Sequence, residues 1–106
     1  MKVGTDIVEI RRIPFEDKAF VHGVLSSQEL LLFEARKDRA QFLAGRYAAK
    51  EAFLKALGTG LSGAKLNEID VSYRVGGGPV LRYQGQDYEV SISHDGGYAI
   101  SVVIIP

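Results

Sequence analysis

Asp6 and Glu51 are the two carboxylates of this 106-residue sequence whose surroundings ask for a cation. Asp6 lies in the apolar run VGTDIVEI, where strand alternation gives it the face of Val8 and Ile10. An acid among such residues needs a partner. Glu51 lies in YAAKEAFLKALGTG, a run of good helix formers. One carboxylate from a strand and one from a helix, completed by phosphate oxygens and water, suits Mg²⁺, which keeps several waters and seldom takes an all-protein cage. The same run carries Lys50 and Lys55, with Arg46 one turn earlier. On a helical wheel Phe42, Leu43, Tyr47, Phe53, Leu54 and Leu57 occupy an arc of roughly 140°, and Arg46 and Lys50 fall inside it. Two cations one turn apart sit in an apolar seam only if something anionic meets them. The alternative is that both snorkel to the rim while Glu51 and Lys55 form a solvated pair.

Two further stretches carry chemistry. The glycines of GTGLSG follow their helix instead of preceding it, which excludes the nucleotide-binding phosphate loop. Their amides can still form an anion nest below Lys55, although Gly58 is equally explained as a helix C-cap. In SISHDGG, alternation puts Ser93 and His94 on opposite faces, so His94 cannot serve Ser93 as a base and a hydrolase triad is excluded. His94 shares the face of Val90 and Ile92, either as a histidine at the end of a buried strand or as a donor to phosphate or adenine.

The elements that position these residues read as follows. VGTDIVEI is a strand running into RRIP, where Pro14 ends pairing. SSQELLLFEAR is a helix capped by Ser26 or Ser27. DRAQFLAGRYAAKEAFLKALG is the long helix, from near Asp38 to Gly58. LNEIDVSYRV, PVLRY, YEVSIS and YAISVVII read as strands, the last two joined by a tight hairpin across HDGG. The expectation is an α+β fold with a largely antiparallel sheet on the long helix, in a single domain over residues 1–106. Ala44, Gly45, Ala48, Ala49, Ala52 and Ala56 make a helix surface small enough for another element or another subunit to approach.

Thirteen basic and thirteen acidic side chains cancel, so no global field points to nucleic acid or an anionic membrane. No stretch approaches a membrane span, and with no cysteine the chain has neither disulfides nor a thiolate metal site. A cytoplasmic protein is expected.

GTDIVEIRRI, FLAGRYAAKEAFLKALGTG and VSISHD, in this order and at these separations, closely resemble the holo-acyl-carrier-protein synthases, a family of 4′-phosphopantetheinyl transferases. The resemblance implies transfer of the phosphopantetheine arm of coenzyme A to a serine of acyl carrier protein in fatty acid biosynthesis. Asp6 and Glu51 would bind Mg²⁺, with Glu51 and Lys55 catalytic. Arg46, Lys50, Lys55, the backbone at Gly58, Thr59 and Gly60, and Ser93 with His94 would line the coenzyme A cleft. Arg11 and Arg12 would meet the acidic helix of the carrier. A homotrimer with active sites between subunits is implied, giving the alanine-rich helix faces and YAISVVII an interface to cover. The sequence departs from the family in a shorter stretch after EIRRI and in Asp95, which stands where a small hydroxyl residue is usual. The alternatives are a catalytically silent carrier-binding module and a different Mg²⁺-dependent nucleotide enzyme.

Overall fold

A computed structural model describes residues 1–58 and 64–106. Strand β1 (Lys2–Glu9) leads through a 3₁₀ turn (Ile10–Arg12) to helices α1 (Lys18–Val24), α2 (Ser27–Glu34) and α3 (Arg39–Leu57). A second 3₁₀ turn (Leu66–Glu68) precedes β2 (Asp70–Tyr73), β3 (Pro79–Tyr83), β4 (Gln86–Asp95) and β5 (Tyr98–Ile105). The five strands form one antiparallel sheet in the order β1-β5-β4-β3-β2. The α+β architecture read from the sequence is the one found.

Local chemistry sets the element ends. Ser26 caps α2 through a reciprocal box: its hydroxyl accepts from the Glu29 amide, and Glu29 accepts from the Ser26 amide. Gly58 ends α3 in the left-handed conformation at φ 76°, which a side chain would strain. Gly96 and Gly97, at φ 56° and 83°, make the two-residue turn of the β4–β5 hairpin. LNEIDVSYRV is only partly a strand. Glu68 accepts from the Lys65 amide, and Asn67 donates to the His22 carbonyl, so the segment folds locally before pairing starts at Asp70.

Helix α3 is enclosed by the rest of the chain on nearly every side. Phe42, Leu43, Ala44 and Ala48 join Val8, Ile13, Val24, Leu25, Phe33 and Ala99 in one core cluster. Ala49, Ala52, Phe53 and Leu54 join Ile69, Val71, Leu81, Val90 and Val103 in a second. The alanines are therefore covered within the chain by its sheet and shorter helices, so of the two partners expected for them it is another element, and the implied use of these helix faces as a subunit interface is corrected. They let β1 approach so closely that a Cβ on Gly4 would lie 1.8 Å from the Ala52 carbonyl oxygen. What the chain leaves uncovered is the other face of the sheet, where Val3, Ile7, Tyr98, Ile100, Val102 and Ile104 are exposed.

Gly4→Ala therefore forces backbone apart at the tightest contact of sheet and helix. Urea unfolding is expected to show a loss of at least about 2 kcal/mol, whereas Gly23→Ala, where a Cβ meets nothing within 4 Å, stays near the parent.

Candidate functional site

The four charges of α3 beyond its first residue, Arg39, divide between two surroundings. Lys50 and Arg46 turn inward toward α2 and β2; Glu51 and Lys55 turn toward β1. Lys50 is fully buried and donates to Glu29 Oε1 at 2.5 Å and to the Val24 carbonyl at 2.6 Å. Burial pushes its ammonium below the usual lysine range, against the pull of Glu29. The Glu29 carboxylate also accepts from the Val71 amide at 3.0 Å. Arg46, 6% exposed, stacks 4.1 Å over Phe42 and donates to the Tyr73 hydroxyl at 3.1 Å. Its Nε stands 3.8 Å from Glu29 Oε2 and has no hydrogen-bond partner among the described residues.

The sequence requires an anion for these two cations, and the anion is Glu29, a residue that reading missed. Placing Lys50 in the coenzyme A cleft is corrected accordingly: its ammonium is consumed inside the protein. A capping-box glutamate is ordinarily a surface residue, and the clue lay in its position four residues before the core residue Phe33.

On the other side, Lys55 donates to Asp6 Oδ1 at 2.9 Å and to the Thr5 carbonyl at 3.0 Å. Its ion-pair partner among the described residues is Asp6, not Glu51 one turn back. Asp6 and Glu51 line one open cavity of about 410 Å³ with Arg12, Ile13, Phe20 and Tyr47. Burial raises the Glu51 carboxyl above its usual range, the charge of Asp6 raises it further, and Lys55 opposes. Two carboxylates that repel across a solvent-reachable cavity, with Lys55 already drawn to Asp6, are oxygen donors that could hold a cation. Among the described residues no cluster of three or more metal-ligating side chains occurs, so the pair leaves most coordination positions to water or a ligand.

His94 is on the far side of α3. Its Nε2 would be 3.1 Å from a Cβ at Gly45, so the absent side chain there makes room for the imidazole. It lines a separate cavity of about 200 Å³ with Arg36, Asp38, Arg46 and Tyr73, which shares no lining residue with the carboxylate cavity. Ser93 is not brought to it, because Ser93 pairs with Ile100 on the outward face of the sheet. Arg11 and Arg12 are exposed, and both reach back to Glu9. Gly58 is the cap of α3; Thr59 and Gly60 lie outside the described residues.

The fold that places these residues is shared with known transferases. The family model described as the 4′-phosphopantetheinyl transferase superfamily matches residues 2–103. The holo-[acyl-carrier-protein] synthase of Staphylococcus carnosus (strain TM300) is 43% identical over 110 residues, covering 97% of this chain and 94% of that protein. The crystal structure of the Neisseria meningitidis holo-[acyl-carrier-protein] synthase matches with a TM-score of 0.86 at 31% identity, covering 96% of this chain and 94% of that one. The Helicobacter pylori holo-[acyl-carrier-protein] synthase in complex with coenzyme A matches with a TM-score of 0.83 at 33% identity, covering 98% and 99%. The chain belongs to the 4′-phosphopantetheinyl transferase superfamily and is an enzyme of that class.

Removing one partner of the buried pair strands the other. Glu29→Gln and Lys50→Met are each expected to cost about 3–5 kcal/mol in urea unfolding, and the double variant less than the sum. Glu51 behaves oppositely. Its folded value lies above that of the unfolded chain, so the fold favours the protonated form, and the ionised carboxylate weighs against folding once pH exceeds the unfolded value. Glu51→Gln is thus expected to be more stable than the parent at pH 7, with the difference fading as pH falls toward about 4.

Proposed function

We propose that Asp6 and Glu51 hold Mg²⁺ for the reaction of this chain: transfer of the 4′-phosphopantetheine arm of coenzyme A to a serine hydroxyl of apo acyl carrier protein, releasing adenosine 3′,5′-bisphosphate, in fatty acid biosynthesis. The observation that carries the metal assignment is the pair itself, two carboxylates from β1 and α3 lining one cavity with Lys55 drawn onto Asp6. The donor set fits a hard cation, since all side-chain donors are oxygens and too few to satisfy it without phosphate and water. When bound, Mg²⁺ neutralises charge on the pyrophosphate oxygens.

The chain's own groups then divide the work. Lys55 is more than half exposed, so its ammonium can leave Asp6 for the charge that develops on the departing adenosine bisphosphate. The serine oxygen forms its bond to phosphorus as the bond to the departing phosphate oxygen breaks. Glu51, whose proton affinity is already raised, is suited to receive the serine proton directly or through water. Arg46 and His94 are read as meeting the rest of coenzyme A from the second cavity. Arg11 and Arg12, held outward by Glu9, are read as meeting the acidic carrier surface.

The two cavities lie apart within one chain, which supports the expected homotrimer with each active site assembled between subunits. The exposed apolar face of β1 and β5 supports it as well, since Val3 and Ile7 are 58% and 64% exposed beside Ile100 and Val102. A cytoplasmic setting belongs to the same reading.

Incubation with coenzyme A, Mg²⁺ and apo carrier protein is expected to add the phosphopantetheine mass to the carrier, read by mass spectrometry; an unmodified carrier would overturn the reaction. Glu51→Gln should lower the rate at least about 100-fold with partial recovery at raised Mg²⁺, and a rate within about threefold of the parent would remove Glu51 from the metal site. Light scattering should give three times the 11.6 kDa chain mass, against a single chain mass if the uncovered sheet face has no partner. Reversing Arg11 and Arg12 to glutamate should raise KM for the carrier and leave that for coenzyme A near the parent value.

A further inference from the structure

The cavity around His94 contains an internal anion. Asp38 is the N-cap residue of α3, yet its side chain makes no capping bond to the helix. Its carboxylate is instead held in a fork by Arg36, Nε donating to Oδ1 and the terminal nitrogen to Oδ2, both at 2.7 Å. Arg36 in turn lies 5.1 Å over the Phe42 ring, on which Arg46 also stacks. Of the residues lining this cavity, Asp38 alone bears a carboxylate; Arg36, Arg46 and His94 supply the cationic and imidazole groups. The Arg36 hydrogen bonds hold the Asp38 carboxyl below its usual range, and the nearby His94 acts in the same direction.

Bidentate pairing saturates the face of a guanidinium that would otherwise grip a phosphate. Coenzyme A carries anionic groups at two places, the pyrophosphate and the ribose 3′-phosphate. With the pyrophosphate directed to Asp6, Glu51 and Lys55, the second cavity is left the 3′-phosphate. We propose that Asp38 is a specificity-determining residue that competes with this phosphate for Arg36, keeping the arginine self-paired and weakening discrimination between coenzyme A and its 3′-dephospho form. The inference rests on the coenzyme A reading of the second cavity. It reaches beyond that reading in assigning Asp38 a role opposed to binding, and in making Arg36 a latent phosphate ligand.

The test is calorimetric titration of the Mg²⁺-loaded protein with coenzyme A and with 3′-dephospho-coenzyme A. Asp38→Asn keeps the shape and loses no helix cap, since none is made. It is expected to bind coenzyme A about three- to fivefold tighter, the range an exposed ion pair can release, with dephospho-coenzyme A unchanged. Arg36→Met should alter coenzyme A binding less than about twofold in the parent yet cancel the gain in the Asp38→Asn background. No gain in Asp38→Asn, an equal gain for both ligands, or a gain that survives Arg36→Met would overturn the proposal. His94→Ala separates the two levels of the argument. If it weakens coenzyme A selectively while Asp38→Asn is neutral, the competition fails and the phosphate cavity stands. If neither variant changes the preference between the ligands, the phosphate reading of this cavity fails with it.

Discussion

A glutamate and a lysine enclosed in the same apolar interior fix the roll of α3, and the site follows from that roll. Lys50 and Glu51 are neighbours in sequence and about 100° apart around the helix. With Lys50 bound to Glu29 and the Val24 carbonyl, Glu51 is turned to the side where β1 passes, and Lys55 a turn later reaches Asp6. A different roll strands a buried ammonium, which costs several kcal/mol, so the carboxylate pair inherits its alignment from a charge that takes no part in the chemistry. Such a pair adds little net stability over apolar residues of the same shape; its consequence here is geometric.

The sheet meets opposite demands on its two faces. Toward α3 it presents Gly4, Asp6 and Val8 of β1 and Ala99, Ser101 and Val103 of β5, small or shaped to admit a helix at close range. Ser101 satisfies its buried hydroxyl by donating to the Ser91 carbonyl across the strand pair. The outer face alternates Tyr98, Ile100, Val102 and Ile104 of β5 into solvent beside Val3 and Ile7 of the edge strand β1, an apolar surface on a chain with little interior to spare. The same period-two alternation that packs one face onto α3 thus leaves the other apolar and exposed.

Much of this was legible in the sequence because the periodicities are strong. The 19-residue α3, its glycine stop, the β4–β5 hairpin and the shared face of Asp6 and Val8 follow from local rules. The need for an anion near Arg46 and Lys50 was legible too, but its identity was not. Glu29 is 21 residues from Lys50, and its one local sign of burial, the spacing to Phe33, does not say which cation it meets. The pairing of Lys55 with Asp6 in place of Glu51 joins residues 49 apart, and no helical spacing rule reports it. The sequence places Asp38 only near the start of α3, and its pairing with the fork of Arg36 two residues earlier follows from no local spacing rule.

The account is tested most directly by crystals grown with coenzyme A and with Mn²⁺ as an anomalous-scattering substitute for Mg²⁺. It predicts one anomalous peak in direct coordination with the carboxylates of both Asp6 and Glu51 of one chain, while Lys50 Nζ remains on Glu29. A peak bound by only one of these carboxylates, or Lys50 turned outward to a coenzyme A phosphate, would contradict it.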